Sequence, residues 1–206
     1  MKKELKERIL NQLDSMDGKV GFYFKNLVTS ETFGYNEKEQ FLPASIVKVP
    51  LLAAMLLMRE KGETQFSEKI TITKDQMLPG CGVVQHMTGD ENGSVTLDIT
   101  TLYKFMIVIS DTTATNALYK HYGNDKVIAA LKELGLKGTQ FNRAFYDSVR
   151  EEQGIQNYFV PEEMGELLEK MYKGQLISKQ ASKDLQDILL LQQANHKMGG
   201  KLPIGF

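Results

Sequence analysis

The chain has 206 residues, 42% of them apolar and 25% charged, an ordinary composition for a folded protein and not for a disordered one. Its formal net charge of −1 and isoelectric point near 6.3 remove the electrostatic reason for expecting nucleic acid or an anionic membrane surface as partner. A single cysteine, Cys81, excludes an internal disulfide.

That length suits one large domain or two small ones. Leu5, Ile9, Leu10 and Leu13 recur among charges over residues 3–16, the spacing of an amphipathic helix. No apolar core or small-residue cleavage site follows the charged start, so it does not read as a signal peptide. The expectation is a cytoplasmic protein, or one that works outside the cytoplasm after losing its export signal. Lys19–Lys25 and Thr32–Tyr35 read as the two strands of a hairpin, joined by the turn residues Thr29, Ser30 and Glu31.

Phe41 to Met58 follows, the most apolar stretch of the chain. After Lys48 it is hydrophobic almost all round, the pattern of a helix buried in the middle of a domain. Arg59, Glu60 and Lys61 interrupt it short of a membrane span. Residues 62–93 are irregular and rich in turns, most tightly at Leu78-Pro-Gly-Cys-Gly-Val83. Helical patterns return over 97–109, 112–122, 125–134, 161–173 and 179–193. Between them, 135–160 is a long polar connection of the kind that is usually functional or mobile.

Two junctions put polar groups at the ends of these apolar helices. Pro43 and Ala44 stand where a helix would begin, with Ser45 as a first-turn or cap residue. Ser45 and Lys48 are three apart and so share one helical face. An apolar setting lowers the pKa of a lysine and lets it accept a proton from a neighbouring hydroxyl. A helix N-terminus favours negative charge nearby. Together these describe an activated serine nucleophile, although Ser-x-x-Lys alone is a common pattern.

The second junction is Ile107-Val-Ile-Ser110-Asp111-Thr112-Thr-Ala-Thr-Asn116. There Ser110 is placed to relay a proton and Asp111 to cap the next helix. A plain helix start uses the same residues, so a helical interaction domain with two capped helices stays open at this point. His86, His121 and His196 lie far apart, without the repeated spacing of a metal site. Cys81, between two glycines, reads as a small loop residue.

Taken together, Pro43-Ala-Ser45-Ile-Val-Lys48 and Ile107-Val-Ile-Ser110-Asp111-Thr112, 65 residues apart from serine to serine, resemble the class A β-lactamase and penicillin-recognising serine hydrolase family. The pair matches that family's Ser-x-x-Lys and Ser-Asp-Asn elements, and the helix, hairpin and buried helix at the front follow its order. The resemblance implies an α+β fold, an α/β sandwich plus a helical domain. Residues 1–42 and 194–206 would belong to the α/β part, and 43–193 to a mostly helical part carrying the serine. Ser45 would be the acylated nucleophile, Lys48 its activating partner and Ser110 the group that passes a proton to the leaving nitrogen. The Ser45 N–H would serve as one oxyanion donor, and Asp111, Thr112 and Val83 would contribute to substrate binding. The implied substrate is a small amide or ester, β-lactams included, with no metal or organic cofactor.

The sequence departs from the family in three places. Thr112 stands where the family usually has Asn, which removes a side-chain amide from the substrate side. Phe141-Asn-Arg143-Ala144-Phe145 resembles the start of the family's Ω-loop and Asn157-Tyr-Phe-Val-Pro161 its end. That registration places Phe145 where β-lactamases carry the glutamate that activates the deacylating water. A phenyl ring cannot take a proton, so the expectation is slow release of the acyl group, with Asp147, Glu151 and Glu152 as the acids able to substitute if the loop folds differently. A protein of the same fold that stops at the acyl stage, as a pseudoenzyme or a sensor of β-lactams or peptidoglycan fragments, is the alternative. The third departure is the lack of a Lys-Thr-Gly element after Gly199-Gly-Lys-Leu-Pro-Ile-Gly-Phe206. The expectation is an N-terminal portion whose sheet is completed by a C-terminal segment of the same protein.

Overall fold

In the computed structural model, which describes residues 2–194, the first apolar repeat becomes helix α1 (Lys3–Asp14). Strands β1 (Phe22–Lys25) and β2 (Thr32–Tyr35) pair antiparallel, with Phe22 opposite Tyr35 and Lys25 opposite Thr32. The turn between them is closed locally: the Asn26 Oδ1 accepts from the N–H groups of Val28 and Thr29, the mimic of a backbone turn that Asn supplies. Helix α1 is tied to the hairpin where the Tyr35 hydroxyl donates to Asp14 Oδ1 at 2.7 Å and Lys6 lies over the Phe33 ring.

A 3₁₀ turn over Ala44–Val47 leads into α2 (Lys48–Glu60). Every residue of α2 from Pro50 to Met58 is buried, which accounts for a sequence that is apolar on all sides. Ser45 therefore sits on a tighter 3₁₀ turn ahead of the α-helix and not in its first α-turn. Around α2 stand α3 (Ile99–Val108), α5 (Asn124–Glu133) and α8 (Lys179–Leu190), with α4 (Thr112–Tyr122) packed against α3 and α5.

Three expectations need correction. Residues 62–93 are not all irregular: β3 (Lys69–Ile72) pairs antiparallel with β4 (Val95–Asp98), a second two-stranded ribbon. Leu97 accordingly lies in a strand, and the helix expected from 97 begins only at Ile99, capped by Asp98, whose Oδ1 accepts from Thr101 N at 2.7 Å. The ribbon escapes a local reading because its four-residue strands are joined through a long turn-rich excursion, and the pairing that stabilises each lies outside any short window. The helix expected to run to 193 ends at Leu190.

The connection over 135–160 contains a short helix, α6 (Ser148–Glu152). Its neck is closed by two antiparallel bridges, Gln140 to Tyr158 and Phe41 to Phe159. Helix α7 (Pro161–Tyr172) then crosses β1. Gly165 makes that crossing possible, since a Cβ there would come within 2.3 Å of the Tyr23 ring. Among the described residues no helix is long and apolar enough to cross a membrane. The expectations attached to residues 195–206, His196 and the segment from Gly199 included, lie outside the described residues.

Candidate active site

The 3₁₀ turn and the α3–α4 junction bring Ser45, Lys48 and Ser110 into one hydrogen-bonded triangle. Lys48 Nζ lies 3.2 Å from Ser45 Oγ and 2.7 Å from Ser110 Oγ. Ser110 Oγ lies 2.8 Å from Ser45 Oγ. The Ser110 carbonyl accepts a further bond from Lys48 Nζ at 2.7 Å. Lys48 is only 3% exposed, and burial pulls its pKa down to about 8 against the weaker opposing influence of Cys81 and Asp111. The ring of Phe145 stands 5.0 Å from the same amine and closes one side of it.

Backbone geometry on both sides of the triangle is unusual. Ala44, directly before the serine, has φ +43, and Ser110 has φ +59. Residues with a Cβ enter this left-handed region at a cost of roughly 1–2 kcal/mol each. Both conformations are held by their surroundings: Ile46 N donates to the Pro43 carbonyl on one side, and the Ser110 carbonyl is bound by Lys48 on the other. Strain held in this way gathers at working sites.

Asp111 has a different part from the one its neighbours play. Its carboxylate is 1% exposed and faces inward, where Oδ2 accepts from Val83 N at 2.6 Å and Val84 N at 2.9 Å while Oδ1 caps α4 through Ala114 N at 2.8 Å. It thus clamps the 78–86 loop onto the helix that follows Ser110. Gly82 fits beneath it with φ +103, because a Cβ there would fall 2.1 Å from Asp111 Oδ2. Val83 contributes its N–H to this clamp and leaves a side chain 42% exposed. Thr112 is tied to the same loop through its N–H, which donates to the Cys81 carbonyl at 2.9 Å.

A cavity of about 460 Å³ opens over Ser45 and Lys48, with Thr112, Cys81 and Gly80 on one wall and Phe145, Tyr146, Arg143 and Glu151 on the other. The second wall is held by Asn116, whose side chain donates to the Phe145 carbonyl at 2.9 Å and accepts from the Phe145 N–H at 2.8 Å. Of the acids near Phe145, Asp147 caps α6 through Arg150 N. Glu152 is exposed. Glu151 lines the cavity, paired with Arg143 at 3.2 Å. The sequence placed Arg143 within the Ω-loop-like stretch but gave neither it nor Tyr146 a part of its own at the site, since neither carries chemistry by itself. The Pro-Gly-Cys-Gly punctuation was the one local sign that the 78–82 loop approaches another chain segment closely. Among the described residues no three His, Cys, Asp or Glu side chains converge on a point that could hold a metal ion.

The chain matches the model of the Beta-lactamase enzyme family over residues 3–206. A β-lactamase from Rhodobacter capsulatus is 28% identical over 124 residues, which is 60% of this chain and 41% of that protein. The matched part of the chain therefore spans about two fifths of the length of that curated relative. Among solved structures, a β-lactamase from Sphaerobacter thermophilus superposes with a TM-score of 0.86 at 25% identity, covering 100% of this chain and 76% of the other. A Leu→Glu variant of PBP-A, solved as an acyl-enzyme with penicillin G, superposes with a TM-score of 0.85 at 25% identity, covering 98% and 74%.

Proposed function

The chain belongs to the Beta-lactamase enzyme family, and from that premise we propose that it is a serine hydrolase acylated at Ser45 by a β-lactam or a related amide or ester. The observation that carries this reading is the triangle of Ser45, Lys48 and Ser110. With a pKa of about 8, roughly a tenth of the Lys48 amine is neutral at pH 7, enough for a general base working near its own pKa. Neutral Lys48 takes the Ser45 proton directly or through Ser110, as Ser45 Oγ attacks the carbonyl carbon. The Ser45 N–H, at the start of the turn, donates to the oxygen that becomes negative. Ser110, bonded to both other members, returns the proton to the leaving nitrogen and the C–N bond breaks.

Release of the acyl group is the slower half of the cycle in this reading. A water attacking the ester needs a base, and the position that the family's loop supplies is filled here by the Phe145 ring, packed edge-on against Phe141. The same ring favours a second reading, a protein that stops at the acyl stage and reports the ligand. Incubation with a labelled penicillin and intact-protein mass spectrometry test both. The expected result is a stoichiometric adduct that disappears in Ser45→Ala and persists for minutes or longer. Absence of any adduct on the full chain overturns acylation, and turnover too fast to trap the adduct overturns slow release.

A further inference from the structure

The cavity over Ser45 adjoins a second hollow of about 290 Å³, and the two share Ala44, Arg143, Phe145 and Glu151. Leu42 and Pro43 line one side of the extension, Gln156 and Asn157 the other. An acyl group on Ser45 has two directions open to it. Toward Gly80 the space is narrowed by Tyr146, whose hydroxyl would stand 3.4 Å from a Cβ built on that glycine. Toward Glu151 the second hollow gives it room.

The charge met along that direction is set by one ion pair, and its two members are unlike. Arg143 is 14% exposed and turns its donors inward, with Nε and one terminal nitrogen on Gln156 Oε1 at 3.2 and 2.8 Å and the other terminal nitrogen on the Ala144 carbonyl at 3.4 Å. Glu151 is 54% exposed and stands where the two hollows meet. The guanidinium anchors the loop neck, and the carboxylate is what a ligand encounters. Lys48, the other cation at the cavity, is already bound to Ser45 and Ser110.

We propose that Glu151 is a specificity-determining residue, the acceptor for an ammonium group on the acyl side chain of the substrate that acylates Ser45. The assignment rests on the acylation reading above. It concerns which acyl groups are preferred, and it leaves the bond-making steps as described.

Three penicillins that differ only at the side-chain α-carbon, bearing hydrogen, an ammonium or a carboxylate, vary the charge there on a common scaffold. The second-order rate of Ser45 acylation is measured for each by mass spectrometry on the full chain. For a half-exposed pair the ammonium compound should react about three- to fivefold faster than the uncharged one, and the carboxylate compound slower. Glu151→Gln should bring the three rates together, Glu151→Lys should invert their order, and added salt should compress it. A merely structural role through Arg143 would slow all three alike and keep their order, which overturns the proposal. So do equal rates in the unsubstituted protein, and a fastest carboxylate compound, which would make Arg143 the recognising group. If none of the three acylates Ser45, the acylation reading itself fails and this assignment falls with it.

Discussion

Asp111 provides the sharpest test of how the site is held. One buried carboxylate serves three backbone donors, Val83 N, Val84 N and Ala114 N. Asp111→Ala removes the acceptor and leaves three N–H groups without it. Each buried donor left unsatisfied costs about 1–3 kcal/mol, and the helix cap alone is worth about 1 kcal/mol. Water entering the vacated space relieves part of this, so the expected loss is about 3–5 kcal/mol. For a protein of this size that corresponds to a fall in Tm of roughly 6–20 °C. Asp111→Asn separates the two duties. Its amide oxygen still caps α4, while its NH₂ faces donors in the 78–86 loop and cannot accept from them. Expected for Asn are a smaller loss, about 2–3 kcal/mol, and a larger proportional fall in acylation than in helical content. Urea unfolding followed by circular dichroism, with acylation rates measured on the same samples, checks both substitutions. A loss below about 1 kcal/mol for the alanine variant would refute the claim that this carboxylate holds loop and helix together.

Two further outcomes follow from the triangle and its neighbour. If the neutral amine of Lys48 is the base, acylation rises with pH, about tenfold per unit well below the pKa, and levels off above about 8; a rate flat from pH 6 to 9 would contradict that role. Phe145→Glu places a carboxylate beside the acyl-enzyme and should shorten its lifetime about a hundredfold, the low side of what a positioned general base provides. The same change removes the Phe141 contact at a cost of about 1–3 kcal/mol, so melting temperature and acyl-enzyme lifetime are followed together, and an unchanged lifetime in a folded variant is the adverse result.

How much of this was legible before the fold was known depended on how local each signal is. Helical periodicity is carried by residues three and four apart, so α1, α2, α4, α5 and α7 could be placed within a few residues. The two-stranded ribbon of β3 and β4 depends on a partner more than twenty residues away, and short windows do not contain it. Ser45, Lys48 and Ser110 were identified because their motifs are short and ordered. What those motifs could not carry is direction: Asp111 sits in the same run as Ser110, yet its side chain turns into the protein and clamps a loop.

The sequence by itself determined the residue types at the candidate site, the helices that carry them, and the phenyl ring at position 145, where the family resemblance implies a base. These are properties of adjacent residues and of a repeating backbone. Only the tertiary structure decided the rest. Lys48 has a lowered pKa because α3, α4 and the loop at Phe145 enclose it. Asn116 holds that loop through paired contacts across 29 residues. Arg143 and Glu151 line the cavity beside Ser45 because the loop neck is closed by the bridges from Phe41 to Phe159 and from Gln140 to Tyr158. Burial, enclosure and long-range pairing depend on distance in space, which no spacing along the chain specifies.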